Sequence, residues 1–150
     1  MKAIFALGAL AALSKSAYSL ADGLHLISTG QDNQLYLTAP NPPGPLLFTK
    51  PESDNRDNQT WYIKARGDDT GTYSIATFDE KLFVTCASDE DSICQESTDV
   101  QYFKITAVDP GDPDVYEITT EDDANLSAAD DERLEASSSH DGSNLFYIRG

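Results

Sequence analysis

The chain has 150 residues, with 10 lysines and arginines against 26 aspartates and glutamates, a formal charge of -16 and an isoelectric point near 4.1. This acidity argues against nucleic acid and anionic lipid as partners, because both require a basic face. A single domain of this size buries roughly two-thirds of its unfolded surface, so it does not depend on a dense disulfide framework.

Met1 and Lys2 lead into the apolar run Ala3 to Leu13 and then into small and polar residues, the three regions of a secretory signal peptide. The run is too short to span a bilayer, which takes about 20 apolar residues, and no later run approaches that length, so membrane insertion is not expected. Small residues permit cleavage after Ser19 or after Ala21, and we prefer the second site, giving a leader over 1–21 and a secreted, extracellular domain over 22–150. Either cut discards Lys2 and Lys15 and no acid, which leaves the mature chain still more acidic.

Beyond the leader, short runs alternate with period two and are rich in Val, Ile, Thr, Tyr and Phe, the pattern of half-buried strands. In chain order the opening runs start at Leu24, Thr72 and Val115, the second runs at Gln34, Lys81 and Ala124, and the third at Leu46, Ile93 and Leu134. Each set closes on an aromatic that opens a fourth run: Trp61, Phe103 and Phe146, spaced by 42 and 43 residues. Turn formers separate the runs, among them Gly30 to Asn33, Pro40 to Pro45 and Asp109 to Asp114. No segment has a helical period.

Three units of four strands, none able to bury its apolar face alone, predict a six-stranded barrel capped by three hairpins, an all-β β-trefoil with pseudo-threefold symmetry. Closure also removes the exposed sheet edges that invite aggregation. The repeats are drawn at about 23–66, 67–108 and 109–150, with Leu26, Ile75 and Ile118 as equivalent opening-strand positions.

Asn58-Gln59-Thr60-Trp61 resembles the Gln-x-Trp signature of ricin B-type β-trefoil lectins, a family whose repeat order covers essentially the whole mature chain. The later repeats carry only Gln101-Tyr102-Phe103 and Asn144-Leu145-Phe146. The resemblance implies that Gln59, Trp61, Phe103 and Phe146 tie the fold, and that sugar is held by a second-strand Asp, a third-strand aromatic and an Asn before the signature. Asn58 matches the Asn. Strand alternation turns Leu35 and Leu37 inward and places Tyr36 where that Asp stands, with Phe83 and Asn125 in the other repeats; none of the three is acidic. Thr49, Gln95 and Ser137 fall near the platform position. The expected carbohydrate site is therefore Tyr36, Asn58 and Gln59.

Cys86 and Cys94, the only cysteines, end the second run and enter the third run of the middle repeat, so a hairpin disulfide is expected. Asn58-Gln59-Thr60 and Asn125-Leu126-Ser127 both satisfy the N-glycosylation pattern, and a glycan on Asn58 excludes sugar binding there. The acidic groups Asp89 to Asp91, Asp122-Asp123 and Asp130 to Glu132 lack the spacing of a calcium loop, and His25 and His140 have no ligand set for zinc. No nucleophile with a base partner and no phosphate loop is present, so neither enzyme activity nor a cofactor is expected. Two functions follow. The first is binding of an extracellular glycan or glycoprotein; the second is binding of an extracellular protein such as a protease, as in β-trefoil protease inhibitors or a secreted effector, through the proline-stiffened loop Thr38 to Pro45.

Overall fold

The computed structural model describes residues 20–30, 34–54, 56–67, 70–87, 92–137 and 144–150, so most of the expected leader, Asp89 to Asp91 and His140 lie outside the described residues. The first unit is β1 (Gly23–Thr29), β2 (Tyr36–Thr38), β3 (Leu47–Thr49), a 3-10 turn (Arg56–Gln59) and β4 (Trp61–Ala65). The second is β5 (Thr72–Thr77), β6 (Phe83–Cys86), β7 (Ser92–Ser97) and β8 (Tyr102–Asp109). The third is β9 (Asp112–Thr120), β10 (Asn125–Ala128), β11 (Leu134–Ser137) and β12 (Leu145–Arg149).

The first and fourth strands of each unit pair around a closed circuit, β1 to β4, β5, β8, β9, β12 and back to β1, always antiparallel. The second and third strands form the hairpins β2–β3, β6–β7 and β10–β11, which cap the barrel. This is the β-trefoil. Among the described residues, no helix is long and apolar enough to cross a membrane.

Threefold equivalence is clearest inside the barrel, where Ile63 faces Ile75, Ile105 faces Ile118 and Ile148 faces Ile27. The first-repeat position is thus Ile27, at 1% exposure, and not the half-buried Leu26 expected from spacing. A slip of one residue reverses every side chain of a strand, and the pairing of Ile27 with Ile148 sets the phase of β1. Trp61, Phe103 and Phe146 are all fully buried, and Phe146 stacks on Phe48 of β3 with ring centroids 5.9 Å apart.

The caps meet through their third segments. Leu46 N–H donates to the Cys94 carbonyl at 3.0 Å and Leu134 N–H to the Leu46 carbonyl at 3.0 Å. Leu46, Cys94 and Leu134 are all buried at this junction. Cys86 and Cys94 face each other across β6 and β7 and are joined as a disulfide.

Candidate functional site

The signature Gln59 ends the 3-10 turn at 2% exposure, with its amide spent inside the protein. Its Nε2 donates to Thr49 Oγ1 at 3.0 Å, Thr38 Oγ1 at 3.2 Å and the Lys50 carbonyl at 2.8 Å, while Oε1 accepts from Glu52 N–H at 3.0 Å. Gln59 is therefore removed from the expected carbohydrate contacts: a buried amide with its groups taken ties two strands and a loop together, and has nothing left for a ligand. Gln101 does related work in the second unit, where its Oε1 accepts from Cys86 N–H at 2.7 Å.

The network also fixes which part of β2 meets the turn. Thr38 reaches Gln59, and Ala39 N–H donates to the Asn58 carbonyl at 2.7 Å. Tyr36 lies further back. It pairs with Ser28 and Thr49, its hydroxyl donates to Gln34 Oε1 at 3.2 Å, and across Ser28 stands Tyr147. Among the described residues, the cavity lined by Asn58 does not include Tyr36.

Asn58 instead lines a cavity of about 290 Å³ between the first and second units. One wall is the proline loop, through Ala39, Pro40, Asn41 and Pro43, and the opposite wall is the β5–β6 turn, with Phe78, Asp79 and Leu82. Glu96 of β7 completes it. Phe78 is 44% exposed, so its ring is open to whatever enters the cavity. Sequence reading within single repeats missed Phe78 and Glu96 because they belong to the next repeat; the one signal was a phenylalanine placed in a turn, Thr77-Phe78-Asp79.

The carboxylates are not equivalent. Asp79 accepts from Thr77 Oγ1 at 2.7 Å and from Lys81 N–H at 3.3 Å, bonds that hold its pKa below the usual carboxylate value. Glu96 is raised above the ordinary value, first by burial and then by the Asp79 charge, with a backbone hydrogen bond from Gly44 opposing. Its Oε2 is buried without a protein partner. The cavity thus sets an amide, carboxyl oxygens and an exposed aromatic face around one space, the combination a pyranose ring requires.

The remaining expectations divide. Asn125 sits in β10 opposite Ser137 at 4% exposure, so its glycosylation pattern falls on a buried strand position and not on a surface loop. Asn58 is half-buried at its cavity. Among the described residues no group of three or more His, Cys, Asp or Glu side chains is arranged to hold a metal; Asp123 pairs with Lys104 and Asp131 with Arg133.

No protein-family model and no curated protein matches the chain by sequence. Solved structures match by fold. A ricin B-like lectin from Macrolepiota procera, determined in complex with lactose, superimposes with a TM-score of 0.72 at 10% identity, over 87% of this chain and 96% of that one. The chain has the fold of ricin B-like lectins. SeviL, bound to the asialo-GM1 saccharide, matches with a TM-score of 0.65 at 20% identity over 85% of this chain and 97% of its own. The designed threefold-symmetric protein ThreeFoil matches at 0.69 and 15% identity, over 86% and 99%. Against the ricin B-like arrangement expected from sequence, this trefoil keeps the buried Gln59 and Trp61 and the Asn58 between them and the cavity, and builds the rest of the cavity from its second unit.

Proposed function

We propose that the protein is a secreted, non-catalytic, cofactor-free lectin that binds a glycan in the cavity between its first and second units. The observation that carries this reading is the convergence on one space of the Asn58 side chain, the exposed Phe78 ring and the Glu96 carboxyl. Phe78 offers a flat apolar face to the C–H side of a pyranose, and Asn58 and Glu96 offer donor and acceptor groups to its hydroxyls. The lectin fold of the lactose-bound and asialo-GM1-bound neighbours supports the same class of ligand. The test is a glycan array probed with mature protein: saturable binding lost in Asn58→Ala and Phe78→Ala, both folded, supports the site, and an array without hits overturns it.

A second reading rests on the proline loop. Its tip, Asn41 to Pro43, is exposed, while its base is tied to β7 by the Glu96 N–H to Gly44 carbonyl bond and by the bridge from Pro45 to Gln95. A tip ordered in advance suits insertion into an extracellular protein such as a protease. Inhibition assays against secreted cysteine and serine proteases test it, and a loop-tip substitution that leaves inhibition unchanged rejects it.

A further inference from the structure

The outer face of the barrel over β5 carries a second cavity, of about 330 Å³, whose shape follows from strand register. Tyr73 and Ile75 point into the barrel, so Ser74 and Ala76 point out, and both are small. Ala76 pairs with Tyr62 on one side and Phe83 on the other; Ser74 pairs with Lys64 and Tyr102. Large side chains on the neighbouring strands thus wall a trough with a two-residue floor. The equivalent face over β9 puts Glu117 and Thr119 on the floor beside Lys104, and the face over β1 puts Leu26 and Ser28 there, so among the described residues only the β5 face has a floor of two small residues with aromatics on both sides of Ala76.

Two polar groups of the trough are unspent. Ser74 is 8% exposed, lines the cavity, and its hydroxyl takes no hydrogen-bond partner among the described residues. Lys64, paired with Ser74, lines the cavity and makes no ion pair among the described residues, whereas Arg66 is held by Glu121 at 2.9 Å and lies over the Tyr102 ring at 4.6 Å, bracing that wall. Glu80 lies beyond Ala76 at the other end. Every backbone edge of β5 is paired, so a peptide finds no ladder to extend, and recognition falls to rings, hydroxyls and one cation.

We propose that this trough binds a hexuronic acid residue of an acidic glycan. The pyranose ring lies between Tyr62 and the Phe83 and Tyr102 side, its hydroxyls meet Ser74 and the tyrosine hydroxyls, and its carboxylate meets Lys64. Glu80 repels the carboxylate from the far end and so fixes the ring's direction. The site is separate from the Asn58 cavity and stands or falls without it.

Calorimetric titration of the Asn58→Ala protein with tri-galacturonic acid, and with the uncharged galactose trisaccharide, tests the assignment with the first cavity disabled. Saturable binding of the acid alone is expected, weakened about tenfold by Lys64→Gln, the loss of one charge-assisted hydrogen bond, and likewise by Tyr62→Ala. Lys64 is exposed, so its substitution leaves the fold intact. Absence of binding, equal binding of the neutral sugar, or indifference to Lys64→Gln overturns the proposal. Array binding that survives Asn58→Ala, with tri-galacturonate binding retained, rejects the first reading and keeps this one.

Discussion

The Trp61 indole Nε1–H donates to the Leu37 carbonyl at 2.8 Å, tying the fourth strand of the first unit to its second from inside the core. Both residues are buried, so the carbonyl has no water to turn to if the indole is lost. Trp61→Phe should destabilise the protein by about 2–4 kcal/mol, from a cavity and an unsatisfied acceptor together, read as a lower urea midpoint with an unchanged slope.

Gly30 lies under the Tyr147 ring: a Cβ built there meets Tyr147 Cε2 at 1.8 Å. The ring also carries Arg149, whose guanidinium is 5.2 Å from the ring centroid, a contact that moving the ring would cost. Gly30→Ala should cost about 1–3 kcal/mol. The added substitution Tyr147→Ala should return part of that loss, and thermal melts of the single and double variants show the coupling.

Stability should fall as pH rises past Glu96. Its folded pKa lies above the ordinary glutamate value of 4.5, so the folded chain holds this proton more tightly than the unfolded one. Its favourable contribution is complete below 4.5 and is lost as pH climbs through the raised folded value. Glu96→Gln keeps an acceptor for Gly44 and removes the ionisation. The variant should therefore be more stable than the parent at pH 7 and converge with it in acid, measured by urea melts across that window.

Reduction of Cys86–Cys94, or its replacement by serines, reopens a loop of 8 residues in the unfolded chain. A cost of about 2–3 kcal/mol is expected from chain entropy. Calorimetry with and without reductant measures it.

Intact mass before and after N-glycosidase treatment should show no glycan on Asn125, which is 4% exposed. A glycan on Asn58 would fill its cavity and abolish array binding until it is removed.

The architecture was legible because it is repetitive: the spacing of Trp61, Phe103 and Phe146 reports a buried layer that each unit must fill alike, and all three are fully buried. Register was less legible. Leu26 and Ile27 are equally apolar, and only the pairing of Ile27 with Ile148 decides which faces inward. Tyr36 alternates as expected, yet the part of β2 that converges on Asn58 is Thr38 and Ala39, a matter of where a short hairpin bends. Phe78 and Glu96 were out of reach, since a cavity between units is assembled by barrel closure and leaves no local pattern in either repeat.

The junction of the three caps makes the middle hairpin a brace for its neighbour. Cys94 accepts the Leu46 N–H, and two residues along the same strand Glu96 N–H meets the Gly44 carbonyl, so the cross-linked β7 grips both ends of the segment that carries the proline loop onward to β3. A reducing milieu therefore reaches further than the bond it cleaves: loosening Cys94 slackens Gly44 and with it the base of the proline loop that walls the Asn58 cavity.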